Sequence, residues 1–222
     1  MDVQFYRDSI HQHGVGATLY HAAYRAANQV TEVAVWNAMM ITLGLVAEKF
    51  LTDPRRAQGR LVDAGDMRRF ASDPGNALTE PFIDEAAQKG DRCYALFDGD
   101  VLMSYGWYST RSTRLTEVAG EPVLHFDPSY AYMYNGFTLP KYRGQRLHAI
   151  GMAAALEKYT EEGQKGLVSY VDSSNFASLK SCYRMGFQNF GHVVMLKVGA
   201  RHVWRSTPGC KKYGFRVEAA AD

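Results

Sequence analysis

The segment from Ser129 to Gly163, SYAYMYNGFTLPKYRGQRLHAIGMAAALEKYTEEG, constrains the fold more than any other. Its first third alternates. Tyr130, Tyr132 and Tyr134 share one face of a strand, and Ala131, Met133 and Phe137 share the other. Pro140 ends the strand because it has no N–H to give to a ladder. A helix follows, rich in alanine and unbranched side chains, and runs into Gly163. Between them lies Arg143-Gly144-Gln145-Arg146-Leu147-His148, a basic turn at a helix start. The first N–H groups of a helix lack internal partners, and the dipole adds partial positive charge. A diphosphate fits there, with Arg143 and Arg146 adding charged contacts.

The elements around this segment set the fold class. TEPFIDEAAQKG reads as a helix with Thr79 as N-cap, Pro81 in the first turn and Gly90 as C-cap. CYALFDGDVLMSYGWYS is two apolar runs about Asp98-Gly99, a hairpin signal. LVSYVD (167–172) reads as a buried strand, and SSNFASLKSCYRM as a helix capped near Ser174 or Asn175. Residues 186–198 read as a final pair of strands. From residue 60 the order is β-α-α-β-β-β-α-β-α-β, a mixed sheet flanked by helices, α/β or α+β.

Residues 1–52 read as helical. The uncharged run from Val33 to Ala47 would put Trp36, Met40, Leu43, Ala47 and Phe50 on one stripe. That stripe would face the main domain, a membrane surface, a partner or a second copy of the chain. As a helix the run spans only about 22 Å, short of a bilayer core of about 30 Å, so no transmembrane segment is expected. TDPRRAQGR (52–60) is a polar connector, and the chain divides there. The expected organisation is a helical extension and connector (1–59), a main domain (60–198) and a basic, aromatic tail (199–222).

Composition narrows the function classes. The 222 residues carry 25 Lys+Arg and 23 Asp+Glu, a net charge of +2, so nucleic acid is not an expected partner. The cysteines, Cys93, Cys182 and Cys210, are isolated, which fits a reducing, cytoplasmic compartment. His11 and His13 belong to no HExxH motif, and no metal is expected. The start MDVQFYRDSI carries acids and lacks an apolar signal core, as expected of a protein that is not secreted.

A strand, then P-x-Y-R-G at a helix start, then a strand, then N-x-x-S before G-F (Asn175, Ser178, Gly186, Phe187) resembles the GNAT superfamily of acyl-CoA-dependent N-acyltransferases. The resemblance spans roughly residues 60–198. It implies a mostly antiparallel central sheet, splayed where the strand ending at Leu139 leaves the strand 167–172. It implies acetyl-CoA or a longer acyl-CoA as donor, with pantetheine bonded by backbone groups of Phe137 and Leu139, and Thr138 between them counted with the cofactor-binding residues. It also implies a diphosphate held by Arg143, Gly144, Gln145, Arg146, Leu147 and His148, and a cofactor arm contacted by Asn175 and Ser178.

Three positions depart from the family. Arg146 stands where glycine is usual, and His148 where glycine or alanine is usual. Helical φ/ψ at Arg146 would not require glycine. Cys182 stands where the family often has the tyrosine that protonates the leaving thiolate. Tyr183 is one residue away, and one helical step rotates a side chain by about 100°.

Acyl transfer needs a neutral amine, a polarised thioester and a protonated leaving thiolate. Tyr134, Asn135 and His125 are candidates for the base, Cys182 and Tyr183 for the acid. The acceptor would be a small-molecule or amino-acid amine. Met39, Met40 and Trp36 would suit a longer acyl pocket. Two alternatives stand beside this reading. One is an N-acyl amino acid synthase-like enzyme supplied by acyl carrier protein. The other is a non-catalytic CoA-binding regulatory module.

Overall fold

Eight strands form one sheet in the order β10-β9-β1-β8-β7-β4-β3-β2. They are β1 (Val33–Ile41), β2 (Gly59–Asp63), β3 (Arg92–Asp98), β4 (Val101–Ser109), β7 (Tyr130–Thr138), β8 (Gly166–Asp172), β9 (Gln188–Val198) and β10 (Arg201–Ser206). Three short strands, β5 (Thr113–Arg114), β6 (Val123–His125) and β11 (Arg216–Glu218), make a second sheet in the order β11-β6-β5. The helices are α1 (Val15–Val30), α2 (Glu48–Leu51), α3 (Ala64–Met67), α4 (Glu80–Lys89), α5 (Leu147–Glu161), α6 (Phe176–Met185) and α7 (Pro208–Lys211). This computed structural model describes residues 14–219. His11, His13 and the helical reading of residues 1–13 lie outside the described residues. Every pairing in the large sheet is antiparallel except β7 with β8.

The helix expected over Val33 to Ala47 is corrected by β1. Residues Trp36 to Ile41 pair with β8, and Val33 to Met40 pair with β9. The run has no polar residue spacing because both faces of the strand are covered, and such a run looks alike as buried strand or buried helix. Trp36, Ala38 and Met40 pack on one face with Val168 and Val193, while Met39 and Ile41 pack on the other with Ile150 and Leu156 of α5. The expected stripe is therefore split. Leu43 falls in a 3₁₀ turn, Ala47 precedes α2, and Phe50 is buried on α2. The helical reading holds for Val15–Val30. The division at residue 59 cuts through one sheet, since β1 lies between two strands from the C-terminal half.

The expected pair of strands at 186–198 is a single strand, β9. Its second partner is β10, which residues 201–206 supply as the sheet's edge. Local signals elsewhere hold. The Thr79 hydroxyl accepts from the Phe82 N–H, and Gly90 sits at φ 72 in the left-handed region at the C-cap. The helix of the key segment, α5, is buried from Ala149 to Leu156, its alanines and Gly151 seating it close on the sheet. Among the described residues, no helix is long and apolar enough to cross a membrane.

Candidate active site

The two parallel strands at the sheet's centre separate. β7 and β8 pair only where Tyr130 to Tyr132 face Gly166 to Val168. The next step is bridged by a side chain, Ser169 Oγ donating to the Met133 carbonyl at 2.9 Å. Beyond that β7 bends away. Its pairing with β4 runs from Trp107↔Tyr134 to Tyr105↔Phe137, three steps on β7 against two on β4. The extra residue makes a β-bulge, with Asn135 at φ 42. Bulges bend a strand and leave backbone groups unpaired, and asparagine tolerates the left-handed region better than most residues.

The gap opens into a cleft of about 300 Å³ between the β7 bulge, β8, the start of α5 and α6. A second cleft, of about 310 Å³, lies against α4 and the segment Thr113–Glu117. Both are lined by Tyr134, Asn135 and Glu117. The two clefts thus meet at the bulge, on either side of the residues they share.

The structure sorts the sequence candidates. Cys182, His148, Asn175, Ser178 and Tyr134 all line the first cleft. Tyr183 does not; its side chain is 52% exposed, as the helical rotation from Cys182 requires. His125 lies in the small sheet, between Ser112 Oγ at 3.0 Å and Glu218 at 3.3 Å, and lines neither cleft. Trp36, Met39 and Met40 are buried in sheet packing and also line neither, which corrects the acyl-pocket reading.

The backbone reading of β7 needs a correction. The Leu139 N–H donates to the Met103 carbonyl at 3.0 Å, and the Phe137 carbonyl accepts from Ser104 Oγ at 2.9 Å. Both residues are bonded toward β4. Alternation turns the Thr138 carbonyl away from β4, where it accepts from Arg143 Nε at 3.2 Å, while the Thr138 hydroxyl meets Ser104 Oγ at 2.8 Å.

The turn before α5 is exposed from Arg143 to Arg146, and Leu147 is buried. Gly144 has φ 81 and Arg146 φ 64. So Arg146 is not helical but left-handed, the conformation glycine adopts freely, which corrects the expectation that glycine has no advantage there. Arg55 holds this turn in place: its Nη1 donates to the Gln145 carbonyl at 2.9 Å, while Asp53 pins the guanidinium at 2.7 Å. Sequence reading missed Arg55. The only local signal was Asp53-Pro54, a turn start whose carboxylate accepts the Arg55 N–H.

His148 projects over the bulge. A Cβ on Gly136 would lie 2.1 Å from its ring, so glycine alone leaves room for it. Burial lowers the imidazole pKa, and His148 is neutral at pH 7. Burial also pushes the Cys182 thiol up to about 11. Tyr134 donates to Asp91 Oδ2 at 2.5 Å. Burial first, then the Asp91 carboxylate, drive the Tyr134 pKa far upward, so its hydroxyl stays protonated. Lys89 completes this corner, 3.2 Å from both Asp91 and Glu85. Glu117, which sequence reading missed, accepts from the Tyr170 hydroxyl at 3.2 Å. It lies on a loop with no motif, and only the fold carries it to the bulge.

A sequence profile described as the acetyltransferase (GNAT) family matches residues 65–187. No curated protein matches the chain. Among solved structures, it is similar to a GNAT-family acetyltransferase from Colwellia psychrerythraea, with a TM-score of 0.51, 12% identity, and coverage of 78% of this chain and 60% of that one. A Drosophila protein gives a TM-score of 0.47 at 14% identity, covering 76% of this chain and 52% of its own. A functionally unknown conserved protein from Staphylococcus epidermidis gives 0.47 at 11% identity, covering 82% and 66%. The chain thus spans between 52% and 66% of the length of these solved chains.

Proposed function

This chain belongs to the GNAT acetyltransferase family, and from that premise we propose that it transfers a short acyl group, acetyl first among them, from acyl-CoA to an amine. The observation that carries the reading is the meeting of two clefts at Tyr134, Asn135 and Glu117. The donor occupies the β7–β8 cleft, its diphosphate at the Arg143–Leu147 turn and its pantetheine arm between the bulge and α6. Asn175 Oδ1 caps α6 by accepting the Ser178 N–H at 3.1 Å, so its amide nitrogen is the end available to the arm. The amine comes from the second cleft. A short acyl group is favoured because the side chains suited to a long pocket are consumed in the core.

In the reaction the amine nitrogen attacks the thioester carbon, the N–C bond forms and the C–S bond breaks. The ammonium gives up two protons, one to the CoA sulfur and one to solvent. An amine of pKa about 10.4 costs about 4 kcal/mol to deprotonate at pH 7.4. Glu117 holds the ammonium, which loses its first proton to solvent; the neutral amine then attacks, and Glu117 takes the second proton as the N–C bond makes the nitrogen acidic and releases it toward the CoA sulfur. Tyr134 cannot serve as base, because it stays protonated on Asp91; it orients the bulge instead.

A Cys182 thiol near pKa 11 is a weak acid toward a thiolate of about 8.5, an uphill transfer of about 3 kcal/mol. Cys182→Ala is therefore expected to cost less than about tenfold in kcat, and Tyr183→Phe nothing measurable. A loss of about 10²-fold in either would make that residue the general acid.

Titration calorimetry with CoA tests the donor site. Arg143→Glu opposes the diphosphate with charge and should weaken binding by about tenfold or more. Equal affinity in wild type and variant would remove the turn from the cofactor site.

A further inference from the structure

The second cleft carries a charge pattern that selects its occupant. Its wall holds two carboxylates, Glu85 and Glu117, and two cations, Lys89 and Arg114. Lys89 is shared within the wall by Glu85 and Asp91, each at 3.2 Å, so this corner is closed on itself with one negative charge to spare. The charged side chains lining the cleft outside this corner are Glu117, at its junction with the donor cleft, and Arg114, three residues before it. Among the described residues, Glu117 is held by the neutral Tyr170 hydroxyl. Arg114 meets Glu121 at 3.5 Å, but both side chains are more than half exposed. Pairs of that kind contribute little and yield to a better-placed carboxylate. Phe82 forms an apolar wall beside them, edge-on to Trp107 at 5.1 Å and to Tyr134 at 6.1 Å.

An anion next to the reacting centre and a cation beside it match the two ends of a zwitterion. A diamine would find Arg114 repulsive at its far end. A simple amine would leave the guanidinium unused, and a bidentate carboxylate contact is what a guanidinium favours. Resting on the acyl-transfer reading above, we infer that the acceptor is a free α-amino acid with an apolar side chain. Its ammonium sits on Glu117, its carboxylate on Arg114 and its side chain against Phe82.

The test uses the full chain saturated with CoA. Calorimetry compares L-phenylalanine with phenethylamine, which lacks only the carboxylate, and with putrescine. Phenylalanine should bind about tenfold or more tightly than phenethylamine. Arg114→Ala should close that gap, and Arg114→Lys should keep part of it. Phenethylamine or putrescine binding as tightly as phenylalanine, no phenylalanine binding, or a gap that survives Arg114→Ala would overturn the inference.

Thiol release from acetyl-CoA with the same amines separates the two readings. Phenylalanine binding as expected with no thiol release from any amine overturns acyl transfer and leaves the amino-acid site. Thiol release from phenethylamine at no disadvantage overturns the amino-acid site and leaves acyl transfer.

Discussion

A chain that begins at residue 43 is expected not to fold. β1 is an inner strand, paired along its length with β8 on one side and β9 on the other. Its removal strips both neighbours of their ladder partners and uncovers apolar side chains on both faces. Trp36, Met39, Met40 and Ile41 are each buried to within 6% of complete burial. Losing one such side chain costs about 2–5 kcal/mol, and a whole domain is stable by only about 5–15 kcal/mol. Four such losses sum to about 8–20 kcal/mol, as large as that margin before any hydrogen bond is counted. The truncated chain should be insoluble, or should lack a cooperative thermal transition followed by circular dichroism. A soluble truncated chain that melts cooperatively near the full-length temperature would refute the place of β1 in the sheet.

Glu117→Gln should lower kcat by about 10²-fold or more while leaving CoA affinity unchanged. The substitution keeps the shape and the hydrogen bond from Tyr170, and removes only the negative charge and the capacity to take a proton. Glu117 is exposed on a loop, so the fold should tolerate the change, and an unchanged melting temperature is the control. Turnover within a few-fold of wild type would mean that the proton leaves by another route. His148, neutral and in the donor cleft, is then the next group to replace.

What was legible in the sequence was whatever is encoded by neighbours along the chain. The strand–turn–helix from Tyr130 to Glu161 is written in alternation, in Pro140 and in alanine content, and the protein folds that way. So are the Thr79 and Gly90 caps, because a cap is settled within four residues. These local signals, in order, carried the resemblance to the family. β1 was not legible, because a strand covered on both faces loses the period of two that would identify it.

The site divides in the same way. Asn175 and Cys182 lie on the cleft because one helix, starting where its cap dictates, fixes both. That same helix turns Tyr183 outward, a matter of 100° that spacing alone left open between the two. The bulge at Asn135 and the bonding of Leu139 toward β4 follow from how β7 is held between unlike neighbours, and the left-handed Arg146 sits in a turn that Arg55 holds. Glu117, Arg114 and Arg55 reach the site from loops and connectors with no motif of their own. The sequence by itself determined the local elements and their order. Only the tertiary structure decided which strand lies between β8 and β9 and which charges meet at the bulge. Those depend on contacts between residues far apart in the chain, such as Trp36 with Asp172 and Glu117 with Tyr170, and no local pattern records them.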